Sequence, residues 1–543
     1  MDDTAGDVKM AEDMYAEGVR LFNGNGVPQD KKKATECFAK AADEGNRDAQ
    51  CFLAWCYERG EGVAKDQGKA FGLYLKAAES GHRTSQHNAA TCYEDGIGVQ
   101  KDLKKALGWF IKAAEQGNIQ SQYDVGRLYF YKEELKDMEK AAEWFMRSAD
   151  QGYAMAQNNM GWCYENGYGI LQDKQKAFEM YSKAAAQGNV KAMSNLGTCY
   201  RSGIGVPSDD RLAFEWYLKA AEQGDAGAQR LTGESYYYGK GVAEDEKKAF
   251  EWYSKAAENG NATAQAFTGY LYEWGKGVGK DISKAVQWYS KAAENGNASA
   301  KYNLALCYEN GKGVAKDEGR AFRLYSESAD LGNAKALVEV GQCYDNGIGV
   351  AKDGKKALEC YNKAADMGNV KAKYYAAVHY YAGETVKKDD AKAAALFRSA
   401  AEAGNMDAQF LLGVMYTSGE GVPMDIPTAL VWYNKAAELG NEEAKVMLGG
   451  FYLDGIAVPR DPAKTVEFCK GPAEKGNLNA KFMIALCTAD GVGGLTKDRK
   501  KAKEMLEALA KINYPQAGVA LGLLEIVTKA GTDLLPLLNR NVK

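Results

Sequence analysis

Apolar residues return along the chain in short, evenly spaced stripes. In the segment Ala192–Val206, the residues Ala192, Leu196, Cys199 and Tyr200 fall at i, i+4, i+7 and i+8, the spacing that lines one face of an α-helix. Gly197 on that stripe lets a second helix come close. The pattern predicts a first helix from Ala192 to about Ser202, ended by Gly203 and Gly205 because glycine enters the left-handed region of a helix end without a Cβ clash. A second helix then opens on an aspartate whose carboxylate accepts the free N–H groups of its first turn. It carries an aromatic pair, such as Trp252-Tyr253, and closes on Ala-Ala and glycine.

This helix pair repeats. The closing glycines stand at Gly45, Gly81, Gly117, Gly152, Gly188, Gly224, Gly260, Gly296, Gly332, Gly368, Gly404, Gly440 and Gly476, with a step of 36 residues everywhere except the 35 between Gly117 and Gly152. Fourteen pairs follow, the last degenerate, with Asn513 in the glycine position. One pair cannot bury its own stripe, so neighbours must stack into a continuous core. The expected layout is a disordered segment at 1–8, repeats one to four over 9–151, repeats five to thirteen over 152–476, a degenerate repeat over 477–513 and a carboxy-terminal cap over 514–543, with one amphipathic helix at 516–530. In repeat four the loop Tyr131–Asp137 is a residue short and lacks glycine. Its helices are expected to run on through it and to change the twist of the array there. Leu534, Leu535, Leu537 and Leu538 either seal the last pair or form a weak homodimer contact.

The motif Leu-Gly-x-x-Tyr-x-x-Gly-x-Gly-Val, followed by Asp, Lys-Ala, Trp-Tyr, Lys-Ala-Ala and Gly-Asn, resembles the Sel-1-like repeat proteins, relatives of the tetratricopeptide repeats. The resemblance covers about residues 9–513. It implies an all-α, right-handed superhelical solenoid of about 14 tandem 36-residue helix pairs with a capping helix, and a non-catalytic adaptor or scaffold that binds other proteins or extended peptides on its concave face. Two alternatives stay open: a β-lactam-binding or hydrolysing repeat protein, for which no Ser-x-x-Lys or zinc constellation is found, and a self-assembling structural protein using the apolar carboxy-terminal end.

Candidate chemistry is sparse. Seven of the eleven cysteines (Cys56, Cys92, Cys163, Cys199, Cys307, Cys343 and Cys487) share one slot that Leu128, Leu271, Met415 and Phe451 fill in other repeats, so they read as small core residues. Stacked helices stand ~8–10 Å apart, too far for disulfides along that ladder, and a reducing compartment is expected. His379 falls in the same slot and reads as core; His82 fills the turn-asparagine slot; His87 points to the predicted inner face with no nucleophile or carboxylate set by spacing. The Gly-x-Gly-Val strings follow helices and lack the Gly-Lys-Ser/Thr ending of a phosphate loop. No metal, cofactor or catalytic residue is assigned.

Function is then expected on the exposed face of the first helices. Trp55, Asn88, Tyr123, Asn158, Asn159, Trp162 and Asn195 make its early part polar with aromatic interruptions. Asn88, Asn159, Asn195 and Asn303 share a slot, and an amide there could grip the backbone of an extended peptide. Glu58, Glu94, Glu165, Glu273, Glu309 and Asp345 recur at another slot, read either as a negative bias favouring a basic segment or as solvated charge. Further along stand Tyr237, Tyr270, Trp274 and Tyr302, then Tyr374, Tyr375, Tyr381 and Phe410, anchors expected to dock an apolar peptide or partner helix unless they close on one another. Val446, Leu453, Phe482 and Met483 extend this apolar run.

With 46% hydrophobic and 26% charged residues and a net charge of −4, the chain offers no basic stripe for nucleic acid. Its acidic start lacks the apolar run of a secretory signal, and no stretch approaches the ~18 apolar residues of a membrane span. A cytoplasmic protein without membrane insertion is expected.

Overall fold

The computed structural model describes residues 3–541. They form thirty α-helices and, among the described residues, no strand. From Lys31 to Lys511 every α-helix is 13 residues long, which makes each repeat the same structural word. In repeat six the first helix is Val190–Ser202 and the second Asp210–Glu222, starting two residues earlier than the apolar stripe alone indicates. Those two residues enter the helix because Asn189 caps it, its side chain accepting the Ala192 N–H. The Gly-Asn signature is thus a helix start: Asn46, Asn118, Asn261 and Asn297 cap the same way. The second helices open on Asp30, Asp66, Asp102, Asp209 and their equivalents, each accepting a first-turn N–H.

Helix pairs close on a ring-to-backbone contact. A Cβ at Gly197 would lie 2.7 Å from Tyr217 Cδ1, and one at Gly161 2.6 Å from Tyr181 Cδ1. Only the smallest residues let the second-helix ring lie flat on the first helix, and Ala54 and Ala90 occupy that slot elsewhere. Successive repeats meet more tightly still. In most Gly-x-Gly turns the second glycine, such as Gly205, Gly241 or Gly349, has positive φ, and a Cβ there would overlap a backbone carbonyl at the start of the preceding second helix, Lys174, Asp210 or Glu318. Buried amides add to this seam: Gln86, Gln122 and Gln157 each donate to the carbonyl eight residues back, and Gln116, Gln151 and Gln187 donate to their Oε1 atoms at 2.7 Å.

Contacts divide the chain into two compact bodies, 1–281 and 282–543, with the boundary inside repeat eight. The shortened repeat four, near residue 151, lies within the first body. Its helices do not run on: the first helix stops at Tyr131, a single 3-10 turn covers Glu133–Leu135, and the second helix restarts at Met138 under the Asp137 cap. Removing the glycine replaced a left-handed turn by a 3-10 turn. Residues 3–8, expected to be disordered, are helical within Asp3–Asn23; residues 1 and 2 lie outside the described residues.

In the second body the cap is a pair of helices, Ala517–Ala530 and Leu534–Asn541. Asp490 of repeat fourteen accepts the Leu534 and Leu535 N–H groups at 2.7 and 2.8 Å, capping a helix more than forty residues away. Leu534, Leu535 and Leu538 are buried against Phe482, Met483 and Leu486. These leucines seal the last repeats, while Ile512, Val519 and Ile526 stay exposed at this end.

The glycine seam gives a direct expectation. Gly205→Ala should cost about 3 kcal/mol or more, because a left-handed alanine is combined with a backbone overlap. Gly188→Ala, also at positive φ but facing open space, should cost only about 1–2 kcal/mol. Urea midpoints by circular dichroism rank the two; equal losses would refute the close approach.

Candidate interaction surface

The acidic slot is an internal hydrogen-bonding position. Glu58, Glu165, Glu309 and Asp345 each accept the hydroxyl of the second-helix tyrosine sixteen residues on, Tyr74, Tyr181, Tyr325 and Tyr361, at 2.7–2.9 Å. Burial, reinforced by that carboxylate, pushes the tyrosine pKa values up. Where the ring is phenylalanine the slot changes. Opposite Phe145 stands Phe130 and opposite Phe397 stands Tyr381, while Glu94, opposite Phe110, turns to Arg127 of the next repeat in a two-pronged ion pair of 2.8 and 2.6 Å. At Arg201 the slot is basic and pairs with Glu234, which also holds Arg230. The carboxylates expected to give the groove a negative bias are therefore largely spent on the protein itself.

Histidines have partners that spacing did not reveal. His87 Nδ1 lies 3.0 Å from Ser121 Oγ and 3.8 Å from Asp124, both in the next repeat. Burial lowers its pKa, and burial raises that of Asp124 to about 6 against the opposing pull of Arg127. His82 caps the Arg83–Asp95 helix by accepting the Ser85 N–H. His379 is packed on Tyr361 in the slot expected of it and adds polar partners. Its Nε2 lies 3.1 Å from Asp345 and its Nδ1 3.1 Å from Thr385 Oγ1. The carboxylate can only accept, so Nε2 donates to it. Thr385 itself replaces a seam glycine, and the preceding second helix compensates with Gly354, whose missing Cβ makes room for it. The eleven cysteines are free thiols; Cys56, Cys163 and Cys487 are fully buried, and burial pushes them up to about 12. Among the described residues no group of three His, Cys, Asp or Glu side chains could hold a metal ion.

The candidate partner-binding residues separate into distinct groups. Asn195 Nδ2 donates to Asn158 Oδ1 at 3.0 Å across two repeats, and Asn158 Nδ2 to Asn159 Oδ1 at 3.3 Å; all three are half-buried. Asn88 reaches only toward Cys51 Sγ at 4.0 Å. Asn303 and Tyr302 line a cleft of about 650 Å³ with Lys335 and Met367. Trp55 is packed on Phe22 and Phe52, and Tyr123 on Phe145 and Tyr153. Tyr237 and Tyr270 meet at their hydroxyls, 3.5 Å apart, whereas Trp274 is 62% exposed and Trp162 lies at the surface beside Phe130. In the second body the expected anchors are engaged: Tyr375 stacks on Tyr361 and accepts from Gln342 at 2.6 Å, Tyr374 faces Phe397, Tyr381 donates to Glu420 at 2.7 Å and Phe410 packs on Tyr433. Beyond them Val446, Leu453, Phe482 and Met483 are buried and line, with Tyr514, Leu535 and Leu538, a cavity of about 600 Å³ under the cap.

Sequence reasoning passed over Tyr131 and Tyr168, both exposed beside Phe130 and Trp162. The available signal was register, since Tyr131 occupies the slot of Tyr238 and Trp274.

An all-helical stack of this kind, with unequal surface residues on an invariant packing frame, is a repeat fold of the class generally used as a protein-interaction scaffold. The Sel1 repeat model matches residues 10–46, 47–82, 84–118, 119–153, 154–189, 190–225, 226–261, 262–297, 298–333, 334–369, 370–405, 407–441, 442–470 and 478–514, and the chain belongs to that family. Among solved structures it is similar to a protective antigen present in uropathogenic Escherichia coli strains, which displays an SLR fold: 32% identity, 88% of this chain and 97% of that one covered, TM-score 0.62. A Sel1 repeat protein from Oxalobacter formigenes is 34% identical over 57% of this chain and 89% of its own, with a TM-score of 0.45. No curated protein matches the chain. No helix among the described residues is long and apolar enough to cross a membrane.

Two outcomes follow from these contacts. Tyr181→Phe should cost about 1–2 kcal/mol by stranding the Glu165 carboxylate, and Glu165→Leu in that background should restore part of it, a coupling read by a double-mutant cycle. For Asp124, a folded pKa near 6 lies above its ordinary value of 3.8. The charged form therefore weakens the fold above about pH 6, and that cost disappears as pH falls toward 4. Wild type should gain stability relative to Asp124→Asn between pH 7 and 4; an unchanged difference in urea midpoints contradicts this.

Proposed function

We propose that the chain is a non-catalytic scaffold that binds extended segments of partner proteins along the exposed face of its first helices. The observation that carries this reading is the Asn158–Asn159–Asn195 amide chain, which joins repeats five and six and is half-buried. Each amide has two donor hydrogens and a carbonyl oxygen, more than these two hydrogen bonds use, so the chain retains donors and acceptors spaced for a peptide backbone. Packing does not call for them, because the apolar stripe, the seam glycine and the tyrosine–carboxylate pair already define the repeat.

The same reading makes Trp55, Asn88, Tyr123, Trp162, Tyr237, Tyr270 and Trp274 contact residues in the first body, and Tyr302 and Asn303 in the second. Tyr374, Tyr375, Tyr381 and Phe410 contribute a partly buried apolar wall in the second body. Summed weak contacts along successive repeats would give affinity without one dominant pocket. The scaffold is placed in the cytoplasm on this reading.

A fluorescence-polarisation screen of unstructured 12–20-residue peptides against the full chain tests it. Substituting Asn158, Asn159 and Asn195 together by Ala should weaken bound peptides about tenfold or more, on the order of 1.4 kcal/mol, while leaving the melting curve close to wild type. Peptide binding that ignores the triple substitution would move the site elsewhere, and catalytic turnover of any library member would replace the scaffold reading.

A further inference from the structure

The cavity under the cap has an identifiable origin. On the first helix of repeat thirteen, Glu442–Asp454, Gly450 stands at the position that Val378, Val414 and Leu486 fill in repeats eleven, twelve and fourteen. Its neighbour Gly449 is the packing glycine, since a Cβ there would overlap Cys469 Sγ. Gly450 answers no such demand. A Cβ built on it meets nothing outside its own helix closer than Met483 Sδ at 4.0 Å. What the missing side chain leaves is space, about 600 Å³ of it, a volume in the range of small-molecule sites, roughly 300–1,000 Å³.

Three separate segments of the second body enclose this space. The first helices of repeats thirteen and fourteen supply Val446, Phe482 and Met483, the turn and helix that follow supply Tyr514 and Val519, and the terminal helix supplies Leu535 and Leu538. Polar groups stand only at the rim. There Asn479 accepts the Tyr514 hydroxyl at 2.7 Å, which satisfies that tyrosine within the protein. Asp454 is the one charged side chain lining the cavity. At the matching position of repeat fourteen, Asp490 is spent on the Leu534 and Leu535 N–H groups. Asp454 has no such use: among the described residues it makes no hydrogen bond or ion pair. Burial raises its pKa against the pull of Arg460, which does not itself line the cavity.

We propose that this cavity binds a small apolar amine, with its hydrocarbon body against Phe482, Met483 and Leu538 and its ammonium group at Asp454. The walls select the hydrocarbon, and the single rim charge selects the head group. A neutral apolar molecule would leave Asp454 as it is, and an anion would face it directly. A cation gives it the charge-assisted hydrogen bond it lacks. Enclosure selects a small molecule, because a partner helix running along the inner face would meet the cap. This site stands apart from the scaffold reading, whose asparagine chain lies in the first body.

Isothermal titration of the full chain with decylamine, decanol and decanoate, each below its aggregation concentration, separates the head groups on one hydrocarbon. Decylamine should bind about tenfold more tightly than decanol, with decanoate weakest. Asp454→Asn should bring decylamine to within about threefold of decanol while leaving decanol unchanged. Gly450→Val, which restores the side chain of repeats eleven and twelve, should weaken decylamine and decanol by about tenfold or more and melt at or above wild type, since it fills a cavity. If Gly450→Val does not fold, the Asp454→Asn comparison decides alone. No binding of decylamine, equal affinity for the three head groups, a decylamine affinity indifferent to Asp454→Asn, or one indifferent to Gly450→Val in the folded protein would each overturn the proposal. Peptide capture through Asn158, Asn159 and Asn195 should be the same in both variants, so either reading can fail without the other.

Discussion

One close approach governs the array: between most neighbouring repeats the second glycine of the Gly-x-Gly turn lies against the backbone carbonyl that opens the preceding second helix, with no room for a Cβ. Backbone meeting backbone fixes the distance and rotation between neighbours more tightly than interdigitating side chains do, since no rotamer can absorb a change. Everything else in the repeat is set against this seam. The left-handed glycine before it ends the first helix, and the aspartate after it starts the second. The exception makes the rule visible. Thr385 occupies the seam position in repeat eleven, and the missing Cβ moves across the interface to Gly354. Repeat thirteen carries Ala457 at the seam position, also at positive φ, so glycine is strongly favoured there but not obligatory.

The second level of order is the tyrosine of the second helix, whose ring lies on a glycine or alanine and whose hydroxyl needs an acceptor. Burying a hydroxyl without a partner costs about 1–3 kcal/mol, so Tyr at the ring slot calls for an acceptor: Glu or Asp at the facing slot for Tyr74, Tyr181, Tyr325 and Tyr361, but Thr198 for Tyr217, whose facing slot is Arg201. Thr417 serves Tyr433 in the same way at 3.1 Å. Where the ring is Phe the constraint lapses, and the slot is free to become Phe130, Tyr381 or an ion-paired Glu94. Those released positions are where surface chemistry departs from the repeat. The aromatic ridge of repeats four and five grows from Phe130, a slot that Phe145 had released.

Much of the fold was legible because the chain carries its own alignment: fourteen versions of one unit separate the residues that packing demands from those it tolerates. Glycine steps, aspartate caps and the cysteine ladder were readable that way, each being a local rule repeated. What escaped were pairings between slots. The Glu–Tyr bond spans sixteen residues and joins two helices, so neither helix period displays it; it shows only when the two slots are compared unit by unit. The partners of His379 escaped for the same reason, since Asp345 and Thr385 come from other segments. The shortened loop was misread because the absence of glycine was taken to mean continued helix, when the chain had a 3-10 turn available. In the candidate site, residue type and register were readable, but exposure was not. Tyr375 and Trp274 look alike as exposed-face aromatics, yet one is stacked on Tyr361 and the other is 62% exposed.

This division of labour explains how one motif can carry different surface chemistries without losing its fold. Stability resides in contacts made within a repeat and with its neighbour, and those contacts occupy a fixed minority of slots. A substitution at a remaining slot changes the local surface and little else, so an amide chain can sit at repeats five and six, an aromatic ridge at repeats four and five, and an apolar cavity beneath the cap in the second body. The limit is set at the array's end, where no next repeat covers the last stripe. There the chain spends Leu534, Leu535 and Leu538, with Asp490 capping their helix, on closing its own core. An apolar run at the end of such an array is first a demand of stacking, and information about partners lies in the side chains that stacking leaves uncovered.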